Sequence, residues 1–186
     1  AIFLPLNTAY TAAELAYFVG DSGARLLVGD PARAQELAEV AAACDAGFAM
    51  LDANGGTLAE RADAQAVTFE TVARSEDDLA AFLYTSGTTG RSKGAMLSQK
   101  NLISNAATLT ELWQFTDADV LLHALPIFHT HGLFVASNVS LLTGGQMIFL
   151  PGFDLEQVLA ALPRATAMMG VPTFYTRLLD DARFSR

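Results

Sequence analysis

Short apolar runs alternate with stretches of one-face helical spacing along nearly the whole chain. Residues 2–4 read as a strand, and Leu15, Phe18 and Val19 then recur on one helix face. Ahead of that helix Thr11 and Glu14 stand at capping-box separation, where each side chain satisfies a free amide, and Gly23 is the expected stop. Strands are expected at 26–28 and 48–51, with a helix between them that Asp30 caps and Pro31 opens. Residues 54–78 are polar and aperiodic, which predicts a loop with short pieces of structure.

The second half keeps this rhythm. Residues 79–84 read as a buried strand and 95–97 as another. Ser98 then caps a helix whose Leu102, Ala106, Leu109 and Trp113 share a face. A strand over 120–125 ends at Pro126, and a helix over 133–142 stops at Gly144 and Gly145. After a strand at 147–150, Asp154 caps a helix with Leu155, Val158, Leu159 and Leu162 on one side; residues 167–169 form the last strand, and Pro172 opens a final helix. Alternating strands and helices predict an α/β fold of mainly parallel sheets covered by helices. Internal repeats and low-complexity tracts are absent.

Composition narrows the function without naming it. Hydrophobic residues make up 52% of the 186 positions, which fits strands covered on both faces or a core whose other half lies elsewhere. Apolar runs stay short of the roughly 18 residues of a membrane helix, so no membrane span is expected. Ala1-Ile2-Phe3 lacks the basic region of a secretory signal. A net charge of −9 with scattered basic residues is the wrong balance for a nucleic-acid groove, although a local nest of amides can bind phosphate in an acidic protein. Cys44 is the single cysteine, which excludes an internal disulfide and fits a cytoplasmic location.

The most informative segment is 84–94, Tyr-Thr-Ser-Gly-Thr-Thr-Gly-Arg-Ser-Lys-Gly, lying between two expected strands. Gly87, Gly90 and Gly94 allow backbone conformations and close ligand approach denied to other residues. Thr85, Ser86, Thr88 and Thr89 offer hydroxyl donors for phosphate oxygens, and Lys93 adds a positive charge. A solvated Gly/Ser surface loop is the plain alternative, but consecutive positions with one chemical sense argue against it. The Walker-type phosphate loop fails on spacing, because Lys93 is preceded by Ser92 and followed by Gly94.

This segment resembles the phosphate-loop signature of the acyl-adenylate-forming superfamily, which includes acyl-CoA synthetases, peptide-synthetase adenylation domains and luciferases. The resemblance continues through Pro5-Leu6-Asn7-Thr8, through Met96-Leu97-Ser98-Gln99-Lys100-Asn101-Leu102 (Gln99 where the family usually has His), and through Leu125-Pro126-Ile127-Phe128-His129-Thr130-His131-Gly132. It implies a chain that activates a carboxylic acid with ATP to acyl-AMP, releases pyrophosphate and transfers the acyl group to coenzyme A. By the same resemblance Thr85, Ser86, Gly87, Thr88, Thr89, Gly90 and Lys93 hold the ATP phosphates, with Mg²⁺ on Thr85 or Thr88. His129 falls at the gate between carboxylate and ATP, against a plain reading as a core histidine.

His131 falls where the family lines its acyl pocket, usually with apolar or aromatic groups. A polar residue there suggests an acyl group with a polar end. Arg177, after Gly170-Val171-Pro172-Thr173-Phe174-Tyr175, could grip a second carboxylate bidentately, although a solvated helix position explains it equally. Together these point to the malonyl-CoA synthetase branch. Fatty, aryl or amino acids are the alternatives within the superfamily. A non-catalytic nucleotide-binding module and a metal-dependent hydrolase built on His123, His129 and His131 are the alternatives outside it.

The resemblance also implies an incomplete N-terminal AMP-binding domain over 1–186. The superfamily's adenine and ribose motifs and its C-terminal lid domain with a catalytic lysine are not found in the sequence. Catalytic inactivity in isolation, and self-association through apolar faces left uncovered, are the expectations that follow.

Overall fold

A computed structural model of the chain describes residues 1–85 and 91–184. Helix α1 (Ala12–Ser22) starts at the expected capping box. The Glu14 amide donates to the Thr11 hydroxyl oxygen at 3.3 Å and the Thr11 amide to the Glu14 carboxylate at 2.8 Å. Gly23 ends the helix in the left-handed conformation, φ 63°. Strand β1 (Leu26–Gly29) pairs in parallel with β2 (Gly47–Met50), and α2 (Ala34–Ala43) crosses between them. Leu15 and Val19 of α1, Leu27 of β1, and Leu37, Val40 and Ala41 of α2 close one core.

Asp30 caps Pro31 as the spacing required, but the first turn, Pro31–Arg33, is 3₁₀ and α2 follows it. A short helix, α3 (Thr57–Asp63), is the one regular helix within the polar stretch 54–78. At the start of the chain the expected strand reduces to one bridge, Phe3 beside Ala81.

The middle of the chain departs from a parallel plan. Strands β3 (Leu79–Thr85) and β4 (Lys93–Ser98) form an antiparallel hairpin, with Tyr84 opposite Gly94 and Thr85 opposite Lys93. Consecutive strands joined by a short loop pair this way, because a parallel return needs a crossover of a dozen or more residues. Only Ala81 and Leu83 of β3 are buried, so the strand expected to be buried throughout covers one face. Ser98 then starts α4 (Gln99–Trp113) through a reciprocal box with Asn101.

Beyond α4 the expected parallel sheet is found. Strand β5 (Val120–His123) lies between β6 (Gln146–Phe149) and β7 (Ala167–Met169), parallel to both. Its Leu121 and Leu122 are fully buried on opposite faces. The first packs with Leu125 and Ala136, the second with Val158, Ala161 and Leu178, as a strand covered on both sides requires. Asp154 caps α6 (Leu155–Ala161), and Pro172 opens α7 (Pro172–Leu179). The helix expected at 133–142 begins earlier and differently: His131–Ser137 is π-helical and only Asn138–Thr143 is regular α5, which Gly144 ends. The described elements form an α/β fold in three small sheets, two of them parallel.

Candidate active site

The stem of the glycine-rich segment is built from the β3–β4 hairpin. Ser86, Gly87, Thr88, Thr89 and Gly90, five of the predicted phosphate-binding residues, lie outside the described residues. Thr85 and Lys93, which flank them, are paired across the hairpin, and the Thr85 hydroxyl donates to the Lys93 carbonyl at 3.4 Å. Both side chains are exposed. Helix α1 holds this stem from one side. The Tyr17 phenol donates to the Ser92 carbonyl at 2.9 Å and the Tyr84 phenol to Asp21 Oδ2 at 2.6 Å. The Arg91 guanidinium lies 5.1 Å from the centre of the Tyr17 ring. Burial, and then the Asp21 carboxylate, push the Tyr84 hydroxyl above the ordinary phenol range, so it stays a donor.

The second half of the site leaves the end of β5. From His123 the chain runs through Pro126 and turns at His129, whose ring lies 4.5 Å from Phe128 centre to centre. It re-enters the core at Gly132, where π-helical geometry has begun. Gly132 is buried against residues 125 and 126: a Cβ there would collide with the Pro126 carbonyl oxygen and stand 3.1 Å from Leu125 Cβ. Only a residue without a side chain fits this approach. His129 and His131 are both exposed at the turn. Phe134, on the same π-helical turn, packs on Ala81 and Leu83 of β3. One core cluster therefore joins the element carrying His131 to the strand that leads into the glycine-rich segment.

His131 opens on a cavity of about 350 Å³ lined otherwise by Trp113, Phe115, Met168, Met169 and Tyr175, with Ala167 and Gly170. An apolar and aromatic wall with one polar group suits a small organic ligand. Arg177 is not among these lining residues. Its guanidinium sits 4.8 Å from the centre of the Phe153 ring, which stacks on Phe174 at 4.2 Å. The structure thus places His131 at the cavity and Arg177 outside its lining, on an aromatic shelf. A second concavity, of about 310 Å³, lies against Ala32, Arg33, Gln35, Glu36 and Glu39, away from every predicted site residue.

His123 is fully buried. Its Nε2 donates to the Gly132 carbonyl at 2.7 Å, an oxygen that also accepts from the Ser137 hydroxyl at 2.9 Å. That bond occupies one ring nitrogen, and the other, Nδ1, is buried. Among the described residues no group of three or more His, Cys, Asp and Glu could hold a metal ion. Gly132, Ser137 and the structural role of His123 were not singled out at the sequence level. The glycine closing the histidine-bearing segment was the one available signal for them.

The whole chain, residues 1–186, matches the AMP-binding enzyme family, and it belongs to that family. Among solved structures, ATP-bound MatB from Rhodopseudomonas palustris is 56% identical and superposes with a TM-score of 0.94, over 98% of this chain and 36% of that one. A malonate–CoA ligase of Arabidopsis thaliana is 32% identical over 96% of this chain and 32% of its own length. A feruloyl-CoA synthase of Amycolatopsis is 34% identical over 99% of this chain and 36% of its own length. The chain thus spans about a third of the length of the curated relatives it matches. No helix among the described residues is long and apolar enough to cross a membrane.

Proposed function

We propose that this chain is part of the N-terminal AMP-binding domain of an ATP-dependent acid–CoA ligase whose acid is malonate. The observation that carries the reading is the likeness to ATP-bound MatB across nearly the whole chain, with the glycine-rich segment between β3 and β4. In the proposed reaction the carboxylate attacks the α-phosphate of ATP, pyrophosphate leaves, and the acyl group passes from AMP to the thiol of coenzyme A. Thr85, Ser86, Gly87, Thr88, Thr89, Gly90 and Lys93 hold the β- and γ-phosphates and neutralise charge as the leaving group departs. Mg²⁺ travelling with the polyphosphate would take the hydroxyl of Thr85 or Thr88. The Thr85 hydroxyl proton faces the Lys93 carbonyl, which leaves lone pairs for a cation.

His129 stands in this proposal between the carboxylate and ATP, and His131 faces the distal end of the acyl group from the cavity wall. Arg177 is the proposed grip on a second carboxylate; in this structure its guanidinium rests on Phe153, outside the cavity lining. A second reading, an aryl acid, draws on the aromatic lining of Trp113, Phe115 and Tyr175. The free thiol of Cys44 is in keeping with a cytoplasmic location.

ATP–pyrophosphate exchange on the full-length protein that carries this chain separates these readings when run with malonate, acetate, medium-chain and aryl acids. Malonate is expected to support the fastest exchange, and Lys93→Ala to lower it about 100-fold or more. Arg177→Met should raise the KM for malonate about tenfold. Unchanged malonate use would remove the clamp, and preference for an aryl acid would establish the second reading.

A further inference from the structure

Among the described residues, His123 carries more polar cost than its packing role explains. It is 1% exposed, and its Nδ1 is buried with no hydrogen-bond partner. A buried polar atom left unpaired is unfavourable, and the neighbouring positions on β5, Leu121 and Leu122, fill the cores on its two faces with leucine. What a leucine cannot supply is the N–H that Nε2 donates to the Gly132 carbonyl at 2.7 Å. We propose that His123 is a positioning residue for catalysis: by clamping the Gly132 carbonyl it fixes the turn that presents His129 and His131 to the carboxylic acid.

The geometry supports this in four ways. The bond spans nine positions in sequence, so it closes a ring containing both exposed histidines and fastens that ring to the central strand. Gly132 meets the backbone of Pro126 with no room to slide, and the Ser137 hydroxyl donates to the same carbonyl at 2.9 Å. The carbonyl lies in a π-helical turn, a rare geometry that is frequent at functional sites. The Phe149 ring, 4.9 Å from the imidazole, holds its plane. A shift of about 1 Å in a group that orients substrate can cost about 100-fold in rate.

This inference rests on the proposed ligase function, and its test separates the two. In the full-length protein, His123→Met fills a similar volume without a donor, whereas His123→Gln places an amide N–H where Nε2 stood. The methionine variant is expected to raise the KM for the acid and lower kcat, each about tenfold or more, with the KM for ATP within about twofold. The glutamine variant should recover to within about threefold of the parent. Crystal structures of the two variants read the positioning directly: residues 129–131 displaced with methionine, in place with glutamine.

An unmoved turn in His123→Met, or equal losses for acid and ATP, overturns the proposal. Should His123→Met not fold, Ser137→Ala removes the second donor to the same carbonyl, and the acid KM must rise by a smaller factor; no change overturns the proposal equally. If the parent supports exchange with none of the acids, the ligase reading falls, and the crystallographic comparison still decides whether His123 positions the turn.

Discussion

Gly132 is where the returning chain meets the segment it left. Its missing Cβ lets the π-helical turn rest on the Pro126 carbonyl, and its own carbonyl receives two side-chain donors. Gly132→Ala inserts a methyl group against backbone, which cannot rotate away as a flexible side chain could. Overpacking of this kind typically costs about 1–3 kcal/mol. The expected outcome is a lowered urea midpoint together with at least about tenfold slower pyrophosphate exchange, since the turn that shifts carries His129 and His131. Wild-type exchange in a folded Gly132→Ala enzyme would show that this close approach does not govern the site. Segment 125–132 stood out in the sequence through its family resemblance; the shared acceptor did not, because Ser137 and His123 meet it only after the chain turns back.

Helix α1 shows how one element serves the site from outside it. Its N-terminus is secured by Thr11 and Glu14, and its side chains Tyr17 and Asp21 hold the stem of the glycine-rich segment through Ser92 and Tyr84. The Thr11 amide, followed by its hydroxyl, keeps the Glu14 carboxyl below the usual glutamate range. A lowered carboxyl stabilises the folded state above its ordinary value, and that contribution disappears as pH falls through the lowered one. Amide exchange in the first turn of α1, corrected for intrinsic rate, should therefore accelerate on acidification into that window. Thr11→Ala, a cap loss of about 1 kcal/mol, should accelerate it about fivefold at neutral pH. Unchanged exchange in Thr11→Ala would mean that tertiary contacts alone hold the helix start.

On the scale of the whole molecule, large apolar side chains remain uncovered. Phe69 is 84% exposed, and Val67, Leu112, Leu141 and Leu179 are exposed with it. Monomers seldom leave many such groups in water. We expect the isolated 186-residue chain to self-associate in sedimentation experiments and to form no acyl-AMP from ATP and malonate. A compact monomer stable to dilution would contradict the first expectation, and detectable acyl-AMP the second.

Much of this architecture was written locally. Capping at Thr11, Ser98 and Asp154, the left-handed glycines at 23 and 144, and the periodic faces of α1 and α6 need only neighbours in sequence, so spacing revealed them. The family resemblance was equally plain in the glycine-rich segment, because its signature is a run of residue types in order. The sequence by itself therefore determined the order of most elements, several of their caps and the α/β class. Tertiary structure alone decided that β3 and β4 run antiparallel, that the turn after His131 is π-helical, and that His131 faces the cavity while Arg177 rests on Phe153. Strand direction and side-chain company depend on contacts between residues far apart in the chain, and no local pattern encodes which distant surface will be met.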